Sequence, residues 1–373
     1  MHLTNDEQDM IKSNLIHYLK IIALLILALS SIAASSENLT AHFIDVGQGD
    51  SELIQFAGKN ILIDGGEQEM GGRVESYLRD HGVTSLDLMI ATHPHDDHIG
   101  GLITILKDFP INQVLDSGQA HTTQTFSTYL NLIDQKNIPF ETAQRGQTID
   151  LDPAIEIEVL SPPSTLFQDD LNQNSIVLKI TYNKVSFLLM GDAGIEAEES
   201  LLSSGYDLNS DILKVGHHGS SSASSPAFLR MVTPTSSIVE VGENNDYGHP
   251  TAKTLSALQN IGSEIYRTDA NGDITITTDG ESYTVTSEKQ SWDTASTTQA
   301  ASAIAPTYST PTAATTTATA SDGPFVGSAK SDKYHYPTCS AAKRIKSANL
   351  ITFSSSEEAR AQGYVPCGIC HPP

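Results

Sequence analysis

The chain has 373 residues, enough for one large domain and a smaller one. Its 45 acidic and 21 basic residues give a net charge of −24, which argues against nucleic-acid binding through a basic surface alone. A phosphate substrate would instead be drawn in by bound cations. The three cysteines Cys339, Cys367 and Cys370 all lie near the end of the chain, so no disulfide framework supports the main body.

Residues 1–36 have the pattern of a secretory signal. Lys12 and Lys20 precede an apolar run over residues 21–33, and small residues follow it. The run is shorter than the ~18 to 20 residues that span a bilayer comfortably. We therefore predict a signal peptide and an extracellular or cell-surface protein, with an uncleaved membrane anchor, and so membrane association, as the alternative.

Residues 37–287 alternate strand-like and helical patterns, with several hairpins among them. This mixture predicts an α/β domain in which layered mixed sheets are covered by helices. Strands are predicted at 39–46, 51–56, 60–63, 86–91, 113–115, 155–160, 176–182, 185–190, 211–215, 237–241, 274–278 and 282–286. Helices are predicted at 73–81, 99–109, 123–136, 196–202 and 251–260.

Two further segments follow this domain. Residues 288–322 consist largely of Ser, Thr, Ala and Pro, a composition that buries too little apolar surface to fold, and they are predicted to be a linker. Residues 323–373 are predicted to form a small zinc-binding module.

The strongest chemical signal directly follows the apolar strand 86–91. Three histidines, His93, His95 and His98, and two aspartates, Asp96 and Asp97, lie within six positions at a strand-to-helix turn, where their side chains can converge on one point. Imidazole nitrogen and carboxylate oxygen are ligands that hold Zn²⁺ or Mn²⁺ while leaving positions open. The segment therefore predicts a metal site.

The pattern His93-x-His95-x-Asp97-His98 resembles the signature of the metallo-β-lactamase superfamily. Its surroundings resemble the extracellular domain of ComEC-type competence proteins from about Leu39 to Thr286. The matching segments are His42–Ser51, Ile61–Gly66, Asn172–Leu178, Phe187–Asp192, Lys214–Ser220, Gly248–Pro250 and Arg267–Gly272. The resemblance implies an αββα sandwich that holds two divalent metal ions, Zn²⁺ or Mn²⁺.

The resemblance also assigns roles to single residues. His93 and His95 would bind one metal and Asp97 and His98 the second, with Asp192 bridging both. His249 resembles the last superfamily ligand, and Asp64 a carboxylate that orients a ligand. The superfamily usually has a further His before the bridging Asp, whereas this sequence has Asn172 and Ser175 in that region. The same gap occurs in the ComEC-type group.

Two metals close together would lower the pKa of a shared water and clamp the oxygens of an in-line displacement. Asp97 and Asp192 would hold the metals and help to accept the proton of the water. Either His217 or His218, which follow the apolar strand 211–215, would act as general acid. A structural role is the alternative for at least one of these two histidines.

The C-terminal module contains a second set of metal-ligand residues, His335, Cys339, Cys367 and Cys370, which fits one structural Zn²⁺. The segment resembles the metal-binding domain of Ada-type DNA repair proteins, although His335 stands where Ada has its methyl-accepting cysteine. Methyl transfer is therefore not expected. The basic residues Lys343, Arg344 and Lys346 form either a patch that contacts nucleic acid or a solvated face.

The leading hypothesis is an exported metal-dependent phosphodiesterase or nuclease that acts on DNA. The first alternative is hydrolysis of a small ester, lactone, thioester or β-lactam on the same fold. The second is a non-catalytic, metal-stabilised DNA-binding protein. No protein partner follows from the sequence.

Overall fold

The computed structural model describes residues 37–168, 170–289, 298–300, 325–328, 331, 333–339, 341–362, 364–367, 370 and 372. The predicted signal segment 1–36 and most of the predicted linker lie outside the described residues. Among the described residues, no helix has both the length and the apolar composition needed to cross a membrane.

The first sheet contains nine of the described strands in the order β15-β14-β13-β1-β2-β3-β4-β5-β6. Neighbours run antiparallel from β15 to β3, whereas β3 to β6 run parallel. These strands are β1 (Leu39–Phe43), β2 (Glu52–Phe56), β3 (Lys59–Ile63), β4 (Leu88–Ala91), β5 (Val114–Asp116), β6 (Phe140–Thr142), β13 (Ile274–Thr278), β14 (Ser282–Ser287) and β15 (Thr298–Ala300).

The second sheet contains six of the described strands in the order β12-β11-β10-β9-β8-β7. The neighbours from β9 to β12 run parallel, and β7, β8 and β9 are antiparallel. The strands are β7 (Ile155–Ser161), β8 (Val177–Tyr182), β9 (Val185–Leu189), β10 (Ile212–Lys214), β11 (Ser236–Val239) and β12 (Glu264–Arg267).

The helices cover the outer face of each sheet. They are α1 (Gly71–Asp80), α2 (Asp96–Ile99), α3 (Leu102–Asp108), α4 (Gln124–Gln135), α5 (Ile195–Leu202), α6 (Pro226–Val232), α7 (Ala252–Asn260) and α8 (Thr268–Asn271). Helices α4, α6 and α7 are capped at their N-termini. The hydroxyls of Thr123, Ser225 and Thr251 each accept a hydrogen bond from the backbone N–H of the residue three positions later.

Three apolar clusters define the layers. Strand residues such as Ile54, Ile180 and Ile276 form the cluster between the two sheets. A second cluster joins the first sheet to α1, α3 and α4, and a third joins the second sheet to α5, α6 and α7. Apolar residues on both faces of the central strands explain the continuous apolar runs in the sequence. The predicted αββα sandwich is confirmed.

The structure differs from the predicted elements in several places. The helix predicted over 99–109 corresponds to α3, which begins at Leu102, whereas Asp96–Ile99 form a separate short helix, α2, that was not predicted and that ends before Gly100 and Gly101. A Cβ at Gly101 would collide with the carbonyl oxygen of Gly65, so this close backbone contact requires glycine. Strands β6 and β12 and helices α6 and α8 were not predicted, and β15 lies within the predicted linker.

The C-terminal segment forms its own four-stranded sheet in the order β18-β16-β17-β19. Its elements are β16 (Phe325–Ser328), β17 (Lys333–His335), β18 (Leu350–Phe353), α9 (Ser356–Ala361) and β19 (Val365–Pro366). Phe325, Tyr334, Phe353 and Tyr364 form a small aromatic core in this segment.

Candidate metal centre

The predicted ligands lie at the carboxyl ends of strands from both sheets. His93 to His98 follow β4, Asp192 follows β9, and His217 and His218 follow β10. Because parallel strands of a layered sheet end at one edge, their following loops meet there. The fold thus brings together residues that lie more than a hundred positions apart in the sequence.

Asp192 lies between the histidines of the first motif. Its Oδ2 is 3.8 Å from Nε2 of His93, and its Oδ1 is 3.5 Å from Nε2 of His98. The ligand atoms of these three residues all lie within 4.8 Å of one another. His95 lies beside them, with Nδ1 3.0 Å from Nε2 of His93. This arrangement fits the bridging position predicted for Asp192.

His218 completes a second group of ligand atoms, together with Asp97 and His98. Its Nε2 is 3.4 Å from Oδ2 of Asp97 and 3.3 Å from Oδ1 of Asp192. The sequence left open whether His217 or His218 reaches the metals. The structure places His218 inside the cluster, fully within reach of both carboxylates.

His217 lies at the edge of the same cluster. Its Nε2 is 3.7 Å from Oδ2 of Asp192 and 3.2 Å from Nδ2 of Asn172, and its side chain remains 27% exposed. Both His217 and His218 have left-handed backbone angles, with φ of 49° and 51°. Such non-glycine residues cost energy and concentrate at functional sites, and here they direct adjacent imidazoles to different positions.

Several of the atoms that face the centre of the cluster lack hydrogen-bond partners among the described residues. They include Nε2 of His98, Nε2 of His218 and Oδ1 of Asp192. Buried polar atoms normally have hydrogen-bond partners, so a cluster of unpaired nitrogen and oxygen atoms fits a site that holds an ion. This set of donors fits a divalent cation such as Zn²⁺ or Mn²⁺.

Asp64 orients the cluster from behind. It accepts hydrogen bonds from Nδ1 of His98 at 2.7 Å, from the Thr92 backbone at 2.8 Å and from the Thr92 hydroxyl at 2.5 Å. With Nδ1 donating, Nε2 of His98 is free to bind a metal. Ser175 supports Asp192 similarly, because its hydroxyl accepts the Asp192 N–H at 3.2 Å.

Asp50 and Lys214 lie beneath the cluster, although neither was predicted from the sequence to be a site residue. Both side chains are completely buried and form an ion pair. Lys214 also donates to the Gly191 carbonyl at 3.1 Å, and Oδ1 of Asp50 is 3.2 Å from Nδ1 of His218. A lysine within the apolar strand 211–215 was the available signal, since a buried charge requires a partner.

Two further carboxyl groups, Glu52 and Glu240, border this ion pair. Burial, reinforced by the negative charge of Asp50, raises the pKa of Glu240 to about 8. Burial and the charge of Glu240 raise the pKa of Glu52 well above its usual range. Protonated glutamates are therefore expected near neutral pH, which limits the negative charge in the buried network.

The carboxylates of the cluster dominate its electrostatics. Burial alone would lower the pKa of His218, but the charges of Asp192 and Asp50 outweigh burial and raise it to about 10. For His98, too, burial is outweighed, and the charges of Asp192, Asp97, Asp64 and Asp50 raise its pKa, whereas burial lowers the pKa of His93. The site therefore has a negative potential that favours bound cations, and protons compete with metal ions for its ligand atoms.

A cavity of about 410 Å³ opens over the cluster. Its lining consists of Gln48, His95, Asp96, Asp97, His121, Thr123, Asn172, Asp192, His217, His218, Tyr247 and His249. His249 lies at its rim, its ring centroid 5.8 Å from that of His217. Gln48, His121 and Tyr247 were not selected from the sequence. Among these lining residues none is aliphatic, lysine or arginine.

The tail ligands also come together. Ligand atoms of His335, Cys339, Cys367 and Cys370 lie within 4.8 Å of one another, and Sγ of Cys370 is 4.0 Å from Nδ1 of His335. One nitrogen and three sulfur donors are typical of a closed zinc site.

The predicted basic patch of the tail divides into two parts. Arg344 and Lys346 line a cavity of about 440 Å³ beside His335, together with Lys333. Lys343 is exposed and lies outside that lining.

Residues 44–240 match the family model described as the Metallo-beta-lactamase superfamily, and the chain belongs to this superfamily. Residues 311–373 match the model described as the metal binding domain of Ada. These two matches confirm the family resemblances inferred from the motifs, and they support a metal-dependent hydrolase fold.

Two curated relatives are similar over the first domain. ComE operon protein 3 of Bacillus subtilis is 29% identical, over 62% of this chain and 32% of its own. Competence protein ComA of Neisseria gonorrhoeae is 32% identical, over 61% of this chain and 30% of its own. The chain thus spans about a third of the length of the curated relatives that it matches.

Among solved structures, the metallo-beta-lactamase fold protein YhfI from Bacillus subtilis aligns with a TM-score of 0.46 and 12% identity. The alignment covers 64% of this chain and 100% of YhfI.

Proposed function

We propose that this protein is an exported phosphodiesterase that cuts DNA with two divalent metal ions, Zn²⁺ or Mn²⁺. The observation that carries the proposal is the position of Asp192, whose two oxygens face His93 on one side and His98 and His218 on the other. One carboxylate between two groups of ligands is the arrangement that a two-metal hydrolase requires.

His93, His95 and Asp192 would hold one ion, and Asp97, His98, His218 and Asp192 the other. When bound, such ions activate a water and neutralise the oxygens of a phosphodiester. Either Asp97 or Asp192 would help to accept the proton of the attacking water. His217, the more exposed histidine, donates a proton to the leaving oxygen.

The cavity supports a phosphodiester rather than a small apolar ester or lactone. Its lining is imidazole, carboxylate, amide and hydroxyl, with Tyr247 at the rim. Pockets for small-molecule ligands are lined mainly by apolar side chains. Relatives named for competence and its operon favour DNA among phosphodiesters. We propose that residues 1–36 export the chain and that the zinc-binding tail holds DNA near the hydrolase site.

The test is a comparison of substrates with the purified full chain. Single-stranded DNA, double-stranded DNA, RNA and bis-p-nitrophenyl phosphate are compared with a lactone, a glutathione thioester and a β-lactam, each with Mn²⁺, Zn²⁺ or Mg²⁺. We expect kcat/KM to be highest for DNA. A higher kcat/KM for any carboxylic ester or amide would contradict the proposal. DNA binding without cleavage under every metal would instead indicate a non-catalytic binding protein.

A further inference from the structure

Tyr247 is an aromatic residue at the rim of the metal cavity that none of the metal chemistry uses. Its side chain is 69% exposed, the largest exposure recorded among the large hydrophobic residues that the structure describes. It nevertheless contributes to the lining of the cavity that opens over Asp97 and Asp192. Single exposed aromatic residues are common on protein surfaces, so the position of this ring beside the metal cavity, rather than its exposure alone, makes it a candidate contact for a substrate.

The ring of Tyr247 stacks against another residue that lines the cavity, His249. It lies nearly parallel to the imidazole of His249, at 24° and a centroid distance of 5.8 Å. His249 in turn contacts His217, with their centroids 5.8 Å apart, and His217 faces Asp192. Tyr247 is therefore two ring contacts away from the proposed acid of the reaction.

The loop that carries Tyr247 is fixed by the side chain of Asn245. Its Oδ1 accepts the N–H of Tyr247 at 3.2 Å and that of His249 at 3.0 Å. Its Nδ2 donates to the carbonyls of Gly242 at 3.0 Å and His249 at 2.6 Å. Four hydrogen bonds from one side chain hold the backbone of this loop, which lowers the entropy cost of a contact made by Tyr247.

The charge of the cavity restricts what the ring can bind. The described lining residues include three aspartates and five histidines, but no lysine or arginine. A nucleic acid therefore finds no fixed cation along the cavity for the phosphates that flank the scissile one. Without counterion release to drive binding, affinity has to come from the metals and from contacts to the bases.

We infer that Tyr247 is a stacking platform for an unpaired nucleobase beside the scissile phosphodiester, so that the substrate class is single-stranded nucleic acid. The inference rests on the proposed phosphodiesterase function. Aromatic side chains bind successive bases of single strands in this way. In a duplex the base faces are covered by their neighbours and cannot reach the ring.

The experiment compares Tyr247→Ala, Tyr247→Phe and Tyr247→Trp with the wild-type full chain. The substrates are a short oligothymidylate and a strand of equal length built from abasic deoxyribose units. We expect Tyr247→Ala to raise the KM for oligothymidylate by about tenfold with kcat nearly unchanged. Tyr247→Phe and Tyr247→Trp should retain the wild-type KM, because both variants keep an aromatic ring at this position and lose only the hydroxyl group.

The abasic strand separates the inference from the proposed function. Its cleavage by the wild type shows phosphodiesterase activity on its own, and the wild type and Tyr247→Ala should then cleave it equally. Phe140, an exposed aromatic residue on β6 outside the cavity, gives the control variant Phe140→Ala, for which no change is expected.

Three results would overturn the inference while phosphodiesterase activity stands: an unchanged KM for Tyr247→Ala, an abasic strand cleaved as efficiently as oligothymidylate, or a loss of kcat on both strands. The last result would mean that Tyr247 only supports His249. If the wild type cleaved neither strand nor bis-p-nitrophenyl phosphate, the proposed function would fail and this inference with it.

Discussion

Lys214 and Asp50 form an ion pair beneath the metal-ligand cluster, and neither side chain is exposed to solvent. Asp50 also faces His218, which places this pair directly behind a proposed ligand. Removing one member of a buried pair leaves an uncompensated charge, which typically costs about 3–5 kcal/mol.

We therefore expect Lys214→Met to lower the free energy of unfolding by about 3–5 kcal/mol, measured by urea denaturation. The matched control is Lys179→Met. Lys179 is nearly buried as well, but its partner Asp207 is 78% exposed and remains solvated when the lysine is lost. The control should cost no more than about 1 kcal/mol through the pair itself. Equal losses in the two variants would show that the buried Lys214–Asp50 pair contributes no more to the free energy of unfolding than the solvated Lys179–Asp207 pair.

The different positions of His217 and His218 predict different defects. His218→Ala should lose bound metal, because its Nε2 faces both Asp97 and Asp192. His217→Ala should keep its metal content but lose turnover on DNA by a factor of ~10² to 10⁴, as expected for a general acid. Its loss should be smaller on bis-p-nitrophenyl phosphate, whose leaving group needs no proton. Metal analysis and steady-state kinetics check both variants, and metal loss in His217→Ala would remove it from the acid role.

Asp116 predicts a dependence of stability on pH. Burial raises its pKa to about 6, although the Gly118 N–H and the Tyr129 hydroxyl donate to the carboxylate. Because the folded state favours the protonated form, this carboxyl group favours folding most below pH 4, where it is protonated in both the folded and the unfolded chain. That contribution is lost as the pH rises through about 6.

Asp116→Asn should therefore raise the free energy of unfolding at pH 8 by on the order of 2–3 kcal/mol relative to the wild type, measured by urea denaturation. This gain should vanish near pH 4. The control is Asp150→Asn, since Asp150 is exposed and its replacement should shift stability little at either pH. A gain that is the same at both pH values would contradict this assignment.

How much the sequence could predict differed between the fold and the site. Most strands of the sandwich could be predicted because their apolar residues either alternate with polar ones, as Ile274 and Ile276 do in β13, or form continuous apolar runs. Strand β6 was missed because Phe140–Thr142 are all exposed and carry no apolar pattern. Helix α6 was missed although the sequence carries a start signal for it, Ser225 as N-cap before Pro226.

Within the site, contiguous motifs were easier to find than long-range partners. His93 to His98 stand out within six positions, whereas Asp50 and Lys214 are 164 positions apart and meet only in the folded protein. Local spacing also could not distinguish His217 from His218. Their separation depends on two consecutive left-handed residues, a backbone feature that the side-chain pattern does not encode.

The tail is expected to be a zinc-dependent module. Its aromatic core around Phe325 and Tyr334 is small, so the metal held by Cys339 and Cys367 should supply much of its folding energy. In the full chain, Cys367→Ser should release one zinc and weaken binding of long DNA at low salt, while turnover on short substrates stays the same. Undiminished affinity for long DNA would show that the tail does not hold the substrate.

The central claim is that Asp192 bridges two metal ions that cut a phosphodiester. The most direct measurement is DNA cleavage by the metal-stripped full chain as Mn²⁺ or Zn²⁺ is added back, with Asp192→Asn treated in parallel. The account predicts no cleavage without metal, recovery at about two ions beyond the tail zinc, and a loss of several orders of magnitude in Asp192→Asn despite an unchanged fold. Cleavage that persists without metal, or that Asp192→Asn performs at the wild-type rate, would contradict it.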